Sequence, residues 1–213
     1  MTIQKKVLEI AEKEGYGVKE TEGQNAGPQV RKYLKAVNIN IPAPWCAAFV
    51  VWALKETLKE NFNFCMVSSG YCPTLSLFAE QKNILSNDPE PGDIFLVYDD
   101  ISAYHTGFVL SLPNNTQFKT CEGNSNSNGS SNGDGIYSNI RTIGNNYRFI
   151  KWHRLLSEPE KKETKYFELY LKDKKICDCP IIDNAAFAPV REFTEALGIK
   201  ISKVDNKSKK VFI

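Results

Sequence analysis

Cys46 is the cysteine of this chain whose surroundings suit nucleophilic chemistry. It lies in P-W-C-A-A-F-V-V-W-A-L-K-E-T-L, residues 44–58, whose first eleven positions are apolar. A stretch apolar on every side marks a helix enclosed by its neighbours. Pro44 suits a first helical turn, where its missing N–H would have had no partner, and this puts Cys46 in the same turn. The unpaired amides and positive dipole end of a helix N-terminus stabilise a thiolate. Such a thiolate needs a base and a group to orient that base. Only two histidines are present. His105 opens the apolar strand pattern H-T-G-F-V-L-S-L after a polar loop, which predicts a ring at a sheet edge facing a cleft. His153, in K-W-H-R-L-L, stands among basic residues and reads as a surface or packing residue. For the orienting group, T-C-E-G-N-S-N is the place to look. Glu122 and Asn124 are two apart and on a strand share one face, with Gly123 leaving room between them. A carboxylate or amide accepting from one imidazole nitrogen fixes the tautomer that leaves the other free for proton transfer.

These residues need elements to hold them. Val7, Leu8, Ile10 and Ala11 give a helical stripe closed by Gly15 and Gly17, and Val30, Tyr33, Leu34 and Val37 a second, opening after Gly27-Pro28. The enclosed helix at 44–58 is the third, and a shorter one follows Pro73 through Leu75, Phe78 and Ala79. After Pro91-Gly92 the texture changes. Short β-branched or aromatic runs at 93–98, 105–112, 117–122, 135–141 and 147–152 alternate with Asn, Gly and Pro clusters, predicting strands. Helices first and an antiparallel sheet second make an α+β domain.

Composition narrows the function classes. The chain has 213 residues, 42% of them apolar and 24% charged, with a net charge of +2. That is enough apolar matter for a packed core. The near balance of charge argues against a nucleic-acid binder. No apolar run approaches the ~20 residues of a membrane span. The amino terminus, M-T-I-Q-K-K-V-L-E-I-A-E-K-E-G, is interrupted by charges and lacks the apolar stretch of a secretory signal, so the expectation is cytoplasmic synthesis. Six cysteines are few for a disulfide scaffold of this size, and free thiols are expected.

Two parts are visible. Twelve of thirteen glycines precede residue 159. Residues 157–164, S-E-P-E-K-K-E-T, contain no apolar residue and read as a linker. Residues 1–158 carry 15 basic and 16 acidic side chains, residues 159–213 carry 12 and 9, so the small part is mildly basic. The expected division is a domain at 1–156, the linker, and a second, smaller α+β domain at 165–213. In the latter, F-E-L-Y-L-K-D-K-K-I and P-I-I-D-N-A-A-F-A read as strands, P-V-R-E-F-T-E-A-L-G as a helix from Pro189 to Gly198, and I-K-I-S-K-V with K-K-V-F-I as a hairpin.

The order P-W-C-A-A-F-V, G-D-I-F-L-V, H-T-G-F-V and E-G-N resembles the CHAP family of papain-like peptidoglycan hydrolases. The lead-in E-G-Y-G-V-K-E-T-E-G-Q-N-A-G-P-Q-V-R-K-Y-L is similar to that of one bacterial and phage branch, and the likeness covers most of residues 1–155. The resemblance implies a papain-like domain in which Cys46 is the nucleophile, His105 the base, and Glu122 and Asn124 the polar partners orienting it. It implies cleavage of amide bonds in bacterial cell-wall peptidoglycan, at the muramoyl–alanine link or within the peptide stem or bridge. The backbone N–H of Cys46 would be one oxyanion donor, with Gln24 and Asn25 of the lead-in lining the cleft. An endolysin of a phage or prophage fits this reading, acting at the wall after release or delivery. A contact-delivered antibacterial toxin with a cognate immunity protein fits it too. A non-catalytic wall-binding module and another cysteine acyl enzyme are the remaining alternatives.

No metal or other cofactor is expected. Residues 21–45 contain only Glu22 as an acidic residue. The run N-S-N-S-N-G at 124–129 imitates a calcium loop with neutral ligands alone, and its twelfth position is Gly135 rather than a bidentate Glu. Cys177 and Cys179 are two thiols, too few to close a zinc site. The carboxy-terminal pattern resembles the small domain named after the amino-terminal region of copper amine oxidases. Without a histidine there, copper ligation is not implied, and an appendage for binding or spacing is.

Overall fold

In the computed structural model the described residues are 1–156 together with five strands, Tyr166–Leu171, Lys174–Ile182, Ala185–Ala186, Lys203–Asp205 and Lys210–Phe212. The chain divides into two compact units, Met1–Ser157 and Glu158–Ile213. Among the described residues no helix is long and apolar enough to cross a membrane.

The first unit opens with helices α1 (Ile3–Gly15), α2 (Pro28–Ala36) and α3 (Cys46–Leu58), followed by a 3-10 turn, a short α4 (Phe62–Cys65) and α5 (Cys72–Gln81). Thr2 caps α1, its hydroxyl accepting from the Lys5 amide at 3.3 Å. Pro28 begins α2, where a proline sacrifices no hydrogen bond. In α3 every residue from Cys46 to Leu54 is buried, as its unbroken apolar run requires. Trp45 takes the N-cap with non-helical backbone angles, so Pro44 lies just outside the helix rather than in its first turn, and Cys46 is the first helical residue.

Seven strands follow: β1 (Leu85–Ser86), β2 (Ile94–Tyr98), β3 (Ala103–Asn114), β4 (Gln117–Ser125), β5 (Gly135–Tyr137), β6 (Ile140–Thr142) and β7 (Tyr147–Ile150). They form an antiparallel sheet in the order β1-β7-β2-β3-β4-β5, with β6 also on β4. Alternation sorts their side chains. Ile94, Leu96, Phe108, Cys121 and Ile150 join the main core with the helices. Phe95, Val97, Val109, Phe118 and Phe149 form a second cluster. At ~1.5–3 kcal/mol per buried large apolar side chain, the two clusters fasten the sheet from both faces. The unit is α+β, mixing helices with an antiparallel sheet.

Three expected boundaries change. The run at 135–141 is two strands on one edge of β4: β5 pairs Glu122 and Ser125, β6 pairs Gln117 to Lys119, and between them the Asn139 amide donates to the Thr120 hydroxyl instead of a backbone carbonyl. The last strand stops at Ile150, and Trp152–Leu155 turn as a 3-10 helix, the Trp152 indole donating to the Gly92 carbonyl at 2.8 Å. His105 sits near the start of β3, whose neighbours are β2 and β4, so it is at a strand end and not at a sheet edge.

In the second unit β8 (Tyr166–Leu171) and β9 (Lys174–Ile182) form a hairpin, β10 (Ala185–Ala186) extends it on β9, and β11 (Lys203–Asp205) pairs with β12 (Lys210–Phe212). The stretch 167–176, expected as one strand, therefore spans both arms of a hairpin. Consecutive polar residues at Lys172 and Asp173 break its alternation. The linker at 157–164 and the helix at 189–198 lie outside the described residues.

Candidate active site

Cys46 reaches the site because α3 lies close against β4, and Gly123 permits this. A Cβ at Gly123 would meet Trp45 Cζ3 at 2.8 Å and Phe49 Cβ at 2.9 Å. Trp45 is anchored in turn, its indole donating to Glu20 Oε1 at 2.9 Å and its ring stacking on Tyr33. A second helix start converges on the same point. Cys72 is the first residue of α5, and its Sγ lies 3.8 Å from Cys46 Sγ. The hydrogen bond with Cys72 holds the Cys46 thiol well below the ordinary thiol range. Burial opposes this, while His105 and the Ala47 amide reinforce it. The same contact, with burial, pushes Cys72 up.

The imidazole expected to act as base stands in a chain of charges. His105 Nε2 donates to Glu122 Oε2 at 3.0 Å, and both side chains are fully buried. Burial alone would lower the imidazole pKa, but Cys46 and Glu122 stabilise the cation and raise it to about 9. Nδ1 is buried without a partner. It is the nitrogen left for Cys46, with which it makes no hydrogen bond in this structure. Such contacts often tighten only when substrate is bound.

Glu122 is held more firmly still. Arg141 grips it through Nε on Oε1 at 2.6 Å and Nη2 on Oε2 at 2.5 Å, and Thr120 and Ser125 donate their hydroxyls at 2.5 and 3.1 Å. Burial raises the carboxyl pKa, yet Arg141 and His105 overcome it and bring it down to about 2. Phe95 underlies both partners, its ring 6.1 Å from the His105 ring and 5.4 Å from the Arg141 guanidinium carbon. Gly107 gives this cluster room, since a Cβ there would meet Phe95 Cε1 at 2.8 Å and the Cys121 carbonyl at 2.6 Å.

The structure brings Cys46, His105 and Glu122 together. Asn124 it does not place on His105. Its backbone is left-handed, with φ +52°, and the β4–β5 register shifts between Glu122 and Ser125, so two-residue spacing no longer means one face. Its amide is buried with neither Nδ2 nor Oδ1 paired, and Ser125 takes the place beside the carboxylate. Gln24 and Asn25 make no hydrogen bond to Cys46 or His105. Asn25, also left-handed, donates its backbone N–H to Glu20 Oε2 at 2.8 Å and leaves its side-chain Oδ1 buried and unpaired. Gln24 lines a polar pocket with Glu20, Asn126 and Tyr137. Both therefore belong to the loop that Glu20 ties to Trp45.

A pocket of about 240 Å³ opens over the two thiols, lined by Pro44, Cys46, Cys72, Pro73 and the exposed rings of Tyr71 and Tyr104. A second, of about 270 Å³, lies beside His105 and Arg141. Among the described residues one group could gather on a cation: Glu90, Asp93 and His153. The buried ammonium of Lys151 already lies on it, 2.7 Å from Asp93 Oδ2 and 3.0 Å from Glu90 Oε1. In the 124–129 run Asn126 Oδ1 accepts from the amides of Asn128 and Ser130, closing its own turn.

Arg141, Thr120, Ser125 and Cys72 escaped the sequence reading. Cys72-Pro73 did carry a signal, a cysteine at a helix start like Cys46; the lone Arg141 carried none. Comparisons with protein-family models, curated proteins and solved structures return no match.

Proposed function

We propose that this chain is a cysteine hydrolase of papain-like arrangement that cleaves amide bonds of bacterial peptidoglycan. The observation carrying this reading is the line Cys46–His105–Glu122–Arg141: a lowered thiol at a helix start, facing a buried imidazole whose far nitrogen is fixed on an ionised carboxylate. The wall substrate rests on the resemblance of the motifs around Cys46, His105 and Glu122. The cleft is compatible with it, because Tyr71 and Tyr104 offer exposed rings beside the sulfur on which a peptide stem can pack.

The chemistry follows from the protonation states. With Cys46 an anion and His105 a cation, the thiolate attacks the amide carbonyl carbon. The carbonyl oxygen takes up charge near the Cys46 backbone N–H, which as the first helical amide has no intrahelical partner. Imidazolium gives its proton to the leaving nitrogen, the C–N bond breaks, and a thioester remains on Cys46. Neutral His105 then takes a proton from water, whose oxygen opens the thioester and restores the thiolate. Glu122 holds the ring by Nε2 throughout and favours its charged form, while Arg141 keeps Glu122 ionised.

Muropeptide analysis after digestion of purified peptidoglycan tests this and identifies the bond. Paired products whose summed mass exceeds the parent by one water per bond cut, absent with Cys46→Ala, are expected; an unchanged muropeptide pattern with folded wild-type protein would overturn the proposal.

A further inference from the structure

We propose that Cys46 and Cys72 form a reversible disulfide that caps the nucleophile, making the cleft a redox-gated site. The consequence for catalysis rests on the function proposed above; formation of the bond does not. Both sulfurs belong to the first residue of a helix, α3 and α5, and both line the pocket of about 240 Å³, through which a small reagent can reach them. Their separation of 3.8 Å must shrink by about 1.8 Å to reach a disulfide bond, a movement within reach of two side-chain rotations. The segment before Cys72, residues 66–71, has no regular structure, so the start of α5 can adjust. Cys65 and Cys121 of the first unit are placed differently. Cys65 directs its thiol to the Asn61 carbonyl, and Cys121 is wholly enclosed in the core.

The reaction is thiol–disulfide exchange with a small aliphatic disulfide as oxidant. The Cys46 thiolate attacks one sulfur of the reagent and expels the other half as a thiolate. Cys72, deprotonated, attacks the Cys46 sulfur of this mixed disulfide and expels the second half. The protein loses two electrons and two protons, and the reagent leaves as two thiols.

The full-length protein treated with hydroxyethyl disulfide, then mapped without reduction, tests the proposal. The expected wild-type product is lighter by two hydrogens, yields one linked pair of peptides containing Cys46 and Cys72, and recovers both thiols with dithiothreitol. Cys72→Ser should instead keep one reagent half on Cys46. Should this variant fail to fold, the wild-type peptide map alone decides. A stable mixed disulfide on Cys46 in the wild type, with Cys72 still open to alkylation, would overturn the inference, as would linkage of Cys46 to any other cysteine. Hydrolysis should vanish on oxidation and return on reduction. If the linked pair forms in a protein that never cleaves peptidoglycan, the proposed function falls and the redox site stands.

Discussion

Replacing Arg141 with Met keeps a stem of similar length over Phe95 and removes the two charge-assisted bonds to Glu122. The carboxyl pKa falls from its ordinary 4.5 to about 2 in the folded protein, which at 1.36 kcal/mol for each tenfold in proton affinity is about 3 kcal/mol. The sign follows from linkage. A depressed carboxyl contributes stability above its unfolded pKa and loses it as pH falls through the folded one. Wild type should therefore exceed Arg141→Met by about 3 kcal/mol at neutral pH, His105 retaining part of the effect while burial goes less opposed, and by less than about half that near pH 3. Urea melts of both proteins at the two pH values read this directly. Hydrolysis should fall as well, since Glu122 with a raised pKa grips the imidazolium less strongly. Arg141→Lys should recover part of the stability but not the two-point grip. An equal loss at both pH values would refute the electrostatic argument and leave only packing.

Other expectations follow from the same geometry. Cys46 should react with iodoacetamide well below the ordinary thiol range and return toward it in His105→Ala; identical pH profiles would disconnect the pair. Hydrolysis should decline as pH rises through about 9, where His105 loses the proton meant for the leaving amine, and a rate still climbing beyond that point would exclude imidazolium as the acid. Gly123→Ala should cost about 1–3 kcal/mol in a thermal or urea melt and disproportionately more activity, because its methyl pushes Trp45 and Phe49, and Cys46 with them, off β4. Lys151→Met should lose about 3–5 kcal/mol by leaving Asp93 buried and unpaired, and adding Asp93→Asn should restore much of it.

What was legible in the sequence had a strong local cause. The helix at Cys46–Leu58 shows itself because nothing polar interrupts its first turns, and the thiol at its start follows. The strands carrying His105 and Glu122 are short apolar or aromatic runs bounded by Asn, Gly and Pro clusters, which is enough to find them, and their antiparallel neighbours come with them. Asn124 was misplaced because period-two reasoning assumes an unbroken strand, and a left-handed residue with a register shift breaks it. Arg141 was invisible for another reason. It lies 19 residues from Glu122 on a three-residue strand, and only the pairing of β6 with β4 brings them together. Cys72 needed both helix starts to be placed in space before its nearness to Cys46 could be known. In the second unit the two arms of one hairpin read as a single strand, since a short polar interruption looks the same in a loop and on an exposed edge.

The most direct measurement is release of new amino groups from purified peptidoglycan by wild type and Cys46→Ala, matched for folding by circular dichroism and thermal melting. The account predicts steady amine release by wild type and none above background from Cys46→Ala. Equal release by the two proteins would contradict it.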